Sequence, residues 1–275
     1  MAITTNATLD DSQVVIYDQA VIVSGQNQAS LDADGSVTLG GSINGGSNEF
    51  TIYTKLSPIT TALTDGTDVT PVSMADAKVT ITPKEYGNVI TTTRLAGAAT
   101  DGKADLGAAK LIGINIQESP NARGVAVLEA GTNSTAAATP GTLAKTDLRS
   151  RYTALKTAGV LPFQDGKYRA RVNPAQVEDI KDVYTAIVQY KNPENALSGE
   201  VGALEGFTII EDNAVTAGTV ICYGDNGLGK SESVATDTTI VEGTDRLGRE
   251  RNYGWYGIYD YGIVDQNAVQ LITGA

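Results

Sequence analysis

The sequence predicts an α+β fold, and three observations carry the prediction. Residues 143–188 switch hydrophobic period from helix to strand and back to helix within one block. β-branched runs stand on both sides of that block, at 50–53 and 79–82 before it and at 208–211 and 219–223 after it. Helices and strands are segregated along the chain, without the regular strand–helix alternation of a doubly wound sheet.

Residues 1–45 read as an arm. Val14, Val15, Ile16, Val21, Ile22 and Val23 form a short apolar stretch, but 24–46 is polar and Gly-rich, with too few anchors for a core. Such a segment is either disordered or ordered by docking on a neighbour. Residues 46–95 read as a long hairpin. Phe50-Thr51-Ile52-Tyr53 and Val79-Thr80-Ile81-Thr82 alternate, and the irregular middle holds Pro58, Asp65-Gly66 and Pro71. A middle this long points to contact with a partner. Val89-Ile90-Thr91 suggests a further strand.

Residues 100–130 are helical in pattern. Thr100 or Asp101 can cap the start, and Leu106, Ala109, Gly113 and Ile116 are expected on one face. Pro120 is expected to kink the helix or to start a second one capped by Ser119, with Val125 and Leu128 inward. After a small-residue linker, Leu148, Tyr152 and Leu155 recur at i, i+4 and i+7, and Gly159 and Pro162 stop that helix. Tyr168, Ala170 and Val172 alternate with Arg169 and Arg171, the pattern of a half-buried strand. Asn173-Pro174 starts the next helix, with Gln176 where a capping box needs it. Thr208 to Glu211 and the aromatic, β-branched tail 253–272 read as strand.

Composition excludes several kinds of chemistry. At 275 residues the chain can bury roughly 70–75% of its unfolded surface without staples. Its net charge of -12 argues against binding nucleic acid by phosphate neutralisation, although a protein that merely encloses nucleic acid needs no basic surface. There is no histidine, which removes Ser-His-Asp and Cys-His catalysis and the common zinc sites. The one cysteine, Cys222, lies in an apolar run and reads as a buried small apolar residue. No secretory signal or membrane span is read, and the sequons at Asn6 and Asn133 are accidental on that reading.

One motif invites a sharper reading. Gly224-Asp225-Asn226-Gly227-Leu228-Gly229-Lys230-Ser231 satisfies the P-loop pattern GxxxxGK[ST] after an apolar strand. A phosphate cradle needs a helix directly after the lysine, whereas a Thr-rich segment without a helical face follows, and Asp225 puts a negative charge inside the cradle. The segment reads as a β-turn loop. Carboxylate pairs at Asp10-Asp11, Glu211-Asp212 and Glu194 with Glu200 have no spacing that selects a metal or glycosidase geometry. The basic groups at Arg149, Arg151 and Lys156, at Arg169 and Arg171, and at Arg246, Arg249 and Arg251 read as ion pairs within or between subunits.

Taken together, three stretches resemble the major capsid protein of tailed bacteriophages, with its HK97-like fold, and are most similar to the short-chain N4-like subfamily. The run from Phe50 to Leu56, then Ala62-Leu63-Thr64-Asp65-Gly66, then Glu85-Tyr86-Gly87 is similar to the family's extended loop, with Asp65 where Glu is usual. Gly199-Glu200-Val201-Gly202 with Gly206 and Glu211 is similar to its "GxIG…G…E". Asp245-Arg246-Leu247-Gly248-Arg249 before Gly254-Trp255 is similar to "DPLGQ…GWK", with Arg246 replacing Pro and Tyr256 replacing Lys.

The resemblance implies an organisation and a function. Residues 1–45 would be the N-terminal arm, 46–99 the extended loop and 100–139 the spine helix of a peripheral domain. Residues 140–249 would be the axial domain, and 250–275 the return strands of the peripheral domain. The chain would self-assemble into hexamers and pentamers of an icosahedral head around double-stranded DNA, in the virion, after synthesis in the host bacterial cytoplasm. Inter-subunit contacts would fall at Phe50, Tyr53, Lys55, Leu63, Asp65, Tyr86, Arg149 and Arg249. Partners would be other copies of the chain, a separate scaffolding protein, a portal and a possible decoration protein, with no sequence-specific DNA contact and no membrane. No catalytic residue, cofactor or metal is expected. Lys55, Lys78 and Lys84 lie in the region where some relatives crosslink. Deleting residues 1–40 is expected to leave a folded core that cannot close shells. Two alternatives stand beside this: an encapsulin-like cellular shell, and a nucleotide-binding protein using 224–231.

Overall fold

The computed structural model describes residues 30–32, 35–40, 46–188, 202–242 and 247–275. Most of the arm, the carboxylates Asp10, Asp11, Glu194 and Glu200, the sequon at Asn6, the stretch 199–201 and the pair Asp245-Arg246 lie outside those residues.

In chain order the strands and helices are β1 (Val37–Leu39), β2 (Asn48–Tyr53), β3 (Asp76–Ile81), β4 (Lys84–Thr93), α1 (Arg94–Ala99), α2 (Lys103–Glu129), β5 (Ser134–Ala136), α3 (Lys145–Thr157), β6 (Tyr168–Val172), α4 (Pro174–Val188), β7 (Ala203–Leu204), β8 (Phe207–Glu211), β9 (Thr219–Tyr223), β10 (Leu228–Glu242), β11 (Glu250–Ile263) and β12 (Val269–Thr273). Among the described residues three sheets form: β1-β10-β11-β4, β5-β12-β9-β6-β8-β7, and the hairpin β2-β3.

The buried side chains form two cores, one on each face of the six-stranded sheet. Along β9, Val220 and Cys222 join the core made by α3, α4 and β6, while Ile221 and Tyr223 join the core under α2. β12 divides in the same way, Ile272 to one side and Val269 and Leu271 to the other. The six-stranded sheet is therefore covered on both faces. This corrects the half-buried reading of β6: Tyr168, Ala170, Arg171 and Val172 are all fully buried. Period-2 alternation in β6 separates two buried faces, one apolar and one holding an arginine.

Helix α2 lies on the four-stranded sheet. Trp255 Nε1 donates to Asn115 Oδ1 (2.7 Å), Arg251 Nη1 to Asp105 Oδ2 (3.0 Å) and Arg123 Nε to Asp260 Oδ1 (2.8 Å), tying three successive levels of the helix to β11. Its inward side chains are Ala108, Ile112, Val125 and Leu128, and Leu106 and Ala109 are exposed, so the first half faces inward about one residue from the expected register. The charged tethers to β11 set that rotation, and they outweigh the weak apolar periodicity. Pro120 does not start a second helix; α2 runs through it. Ser119 Oγ donates instead to the Asn115 carbonyl (2.7 Å). The start is more elaborate than expected. Thr93 caps a short α1, accepting from Ala96 N–H (3.2 Å), and Asp101 and Gly102 turn the chain through positive φ into α2.

The helix–strand–helix block follows its signals closely. α3 ends where Gly159 adopts φ +76°. Asn173 Oδ1 accepts from Ala175 N–H (3.0 Å) and caps α4. The capping box is not completed, because Gln176 turns inward and its Oε1 has no partner.

Strand placement cuts across the segment boundaries read from the sequence. β4 leaves the loop segment to pair with β11, and β10 leaves the axial segment to pair with β11 on its other side. The tail divides, with β11 in the four-stranded sheet and β12 in the six-stranded one. The arm divides too. Leu31 is buried, and β1 pairs in parallel with Leu228, Gly229 and Lys230. A cut at residue 40 would therefore remove part of the core, not only an appendage.

Candidate assembly surface

The hairpin β2–β3 is anchored at its base and bare beyond it. Asn48 pairs with Ile81 at the base and Tyr53 with Asp76 at the outer end. Ile81 is buried over Gly229 and Gly262, which face each other across β10 and β11. A Cβ on Gly262 would lie 2.8 Å from Ile81 Cγ1, and one on Gly229 3.1 Å from Phe50 Cζ. Two glycines thus form the socket that seats the hairpin. Asn48 Nδ2 adds a hydrogen bond to Ser231 Oγ (3.1 Å).

Beyond Tyr53 the chain forms no strand until Asp76. Thr54 N–H donates to Ala75 O (2.9 Å) at the neck, and a turn from Thr64 to Thr67 marks the tip, with Gly66 at φ +77°. Every residue from 53 to 78 is exposed. Among them Leu56, Ile59, Leu63, Val69, Val72 and Met74 are apolar, with exposures from 49% at Val69 to 76% at Ile59. Burying such a side chain is worth about 1.5–3 kcal/mol. Six of them on one projecting loop mark a surface that is completed by another molecule.

The residues singled out from the sequence fall into two groups. Phe50, Tyr53, Lys55, Leu63 and Asp65 lie together on the hairpin and its loop. Phe50 and Tyr53 also line a groove of about 460 Å³ with Leu161, Val264 and Asp265. Tyr86, Arg149 and Arg249 lie elsewhere. Tyr86 stacks on Tyr259 at 4.9 Å within its own chain. Arg149 grips Glu205 through two nitrogens, at 3.1 and 3.2 Å, and Lys145 joins the pair at 3.3 Å. The hydrogen bond from Arg149 is the main reason the Glu205 carboxyl is held below its ordinary value; burial opposes it and Lys145 assists. Arg249 is exposed, and its carbonyl accepts from Arg94 N–H (2.7 Å). Sequence reasoning missed Leu95, Leu161, Ile240 and Leu247, which are exposed apolar residues outside the loop. No shared periodicity flags them: Leu161 stands in the apolar run from Val160 to Phe163, and Ile240 beside Val241.

The glycine-rich stretch is a turn and a strand. Gly227 N–H donates to Gly224 O (3.3 Å), Asn226 takes φ +59°, and β10 begins at Leu228. The nucleotide-site alternative is overturned here, because Lys230 and Ser231 lie inside a strand and no helix follows to hold phosphates. Lys230 is buried and donates to Asp32 (2.7 Å), with Glu232 at 2.6 Å. Burial alone would lower its pKa, but the two carboxylates outweigh it and hold the ammonium charged. Burial also pushes the Cys222 thiol up to about 12, so it is no nucleophile at neutral pH. Among the described residues there is no acidic or cysteine cluster of metal-binding geometry, and no helix long and apolar enough to cross a membrane.

No protein-family model matches the chain, and no curated protein matches it in sequence. Solved structures do match it, over almost its whole length. The head structure of Helicobacter pylori bacteriophage KHP40 has a TM-score of 0.74 at 12% identity, covering 99% of this chain and 98% of that one. The fold is the HK97-like fold of phage capsid proteins. The capsid structure of the cyanophage P-SCSP1u agrees, with a TM-score of 0.71 at 14% identity over 98% of this chain and 95% of that one. So does the capsid of a native GTA particle, with a TM-score of 0.68 at 11% identity over the whole of both chains. At such identities the likeness is one of fold.

Proposed function

We propose that this chain is a structural major capsid protein, without enzymatic activity, that assembles into the hexamers and pentamers of an icosahedral phage head enclosing double-stranded DNA. The loop 54–75 carries the reading: six exposed apolar side chains project from a fold shared end to end with capsid proteins. In this reading 1–45 is the arm, 46–99 contains the extended loop, 100–139 the spine helix, 140–249 the axial domain and 250–275 the return strands. β10 and β12 are exchanged between the peripheral and axial sheets.

Phe50, Tyr53, Lys55, Leu63 and Asp65 contact the neighbouring copy, and Tyr86, Arg149 and Arg249 make inter-subunit contacts away from that loop. Shell closure distributes the energy over many repeated contacts of this kind. A separate scaffolding protein, a portal and a decoration protein complete the particle, which resembles those of N4-like phages. The protein is made in the host cytoplasm and ends in the virion.

Negative-stain electron microscopy of the purified chain, alone and with its scaffold, tests the reading. Closed shells or six-fold rings of uniform diameter are expected. A monomer in both preparations overturns it.

A further inference from the structure

Arg171 and Asp212 form an ion pair in which both side chains are fully buried (Nη1 to Oδ2, 2.6 Å). Such a pair costs desolvation that its attraction barely returns, so stability alone does not account for it. Its neighbours suggest another role. Asn121, on α2, donates through Nδ2 to both Asp212 oxygens, at 3.1 and 2.9 Å. Its Oδ1 accepts from Arg171 Nη1 (3.2 Å) and from the backbone N–H of Leu31 (3.1 Å).

An amide side chain has one donating and one accepting end. Asp212 can only accept and Arg171 can only donate, so together they allow a single orientation of Asn121. That orientation presents an acceptor to Leu31. The flipped amide would set a donor against the Leu31 N–H.

A second relay leaves the same pair. Arg171 Nε donates to Tyr223 Oη (3.0 Å). The Tyr223 hydroxyl, already accepting from a guanidinium, turns its own proton to Ser36 Oγ (3.0 Å). Leu31 and Ser36 are among the first described residues of the chain, and both are buried. We propose that the buried Arg171–Asp212 pair is an orienting lock: it sets the polarity of two hydrogen-bond relays, through Asn121 and Tyr223, that fix where the N-terminal segment meets the body.

Hydrogen–deuterium exchange of the full, unassembled chain tests this, and its result stands whether or not shells form. In the paired apolar replacement R171M/D212L, peptides covering 30–36 are expected to exchange about tenfold faster, the loss of roughly one hydrogen bond. Peptides from β11 and α3 keep wild-type rates. Unchanged protection at 30–36 in the folded variant overturns the proposal. Should that variant not fold, R171K decides. It retains a charge for Asp212 but has no guanidinium fork, so protection at Ser36 falls while that at Leu31 holds. Wild-type rates at both positions in R171K equally overturn the proposal.

Discussion

Leu31 fills a notch that Gly124 leaves in helix α2: a Cβ on Gly124 would sit 2.3 Å from Leu31 Cδ1. The two are far apart in sequence, and their fit places the start of the described chain against the C-terminal third of the long helix. Gly124→Ala gains about 1 kcal/mol of helix propensity but overpacks a closed site at about 1–3 kcal/mol. The expected net is a loss of about 1 kcal/mol in urea unfolding. The informative result is the cycle. In a Leu31→Ala background the clash is gone, and Gly124→Ala should stabilise. A destabilising effect of the same size in both backgrounds would contradict the notch.

Lys230 separates a structural from a nucleotide-binding role. Lys230→Met keeps the stem between the Tyr259 and Tyr261 rings, 5.6 and 5.7 Å from the ammonium, and removes the charge. Asp32 and Glu232 remain partly solvated, at 40% and 34% exposure, so they are not stranded. A loss of about 1–3 kcal/mol is expected, the range for charged hydrogen bonds. Calorimetry with ATP and magnesium should give no saturable heat for either protein. Saturable binding by the wild type that vanishes in the variant would restore the nucleotide site.

These two residues show what the sequence can and cannot convey. Gly159, Asn173 and Pro174 act through their own backbones, so the limits of α3 and α4 were legible from single residues. The same holds for Gly66 at the loop tip. Lys230 was ambiguous because its local pattern imitates a phosphate loop, and only the segment after it, with no helical face, pointed to the answer. The reading of Arg171 as one of the ion-paired basic residues holds, but its burial and its partners are not local, since Asn121, Asp212 and Tyr223 lie 50, 41 and 52 residues away. No local window contains that network. Gly229 and Gly262 likewise have meaning only as a cross-strand pair. The candidate surface was legible as a region, since a long, Pro-broken hairpin middle has nowhere to fold. Its separation from Tyr86 and Arg149 depended on tertiary pairing with Tyr259 and Glu205.

The Glu205 pair predicts a pH dependence. Its carboxyl is held below the ordinary 4.5 in the folded chain. A lowered folded pKa adds stability that is present above about pH 4.5 and is lost as pH falls through the folded value. Glu205→Gln should therefore be slightly less stable than wild type at pH 7, and the difference should shrink as pH falls below about 4.5. The groups are near the surface, so salt should narrow the difference at pH 7. A gap that persists undiminished to pH 3 would assign the effect to packing, not charge.

Residues 54–75 make the sharpest division between folding and assembly. The loop buries none of its own apolar side chains, and the backbone bond from Thr54 to Ala75 closes its neck. Replacing 56–73 by a short Gly-Ser turn should leave the urea midpoint and cooperativity of the monomer unchanged. The same change removes five of the six exposed apolar side chains, all but Met74, each worth about 1.5–3 kcal/mol when covered, from an interface repeated in every copy. Sedimentation velocity should find only unassembled chain under conditions where wild type forms particles. A milder variant, Leu56, Ile59 and Leu63 all to Ser, should raise the concentration needed for assembly without abolishing it. Particles of normal diameter from the loop-replaced chain would move the assembly surface to the exposed leucines 95, 161 and 247.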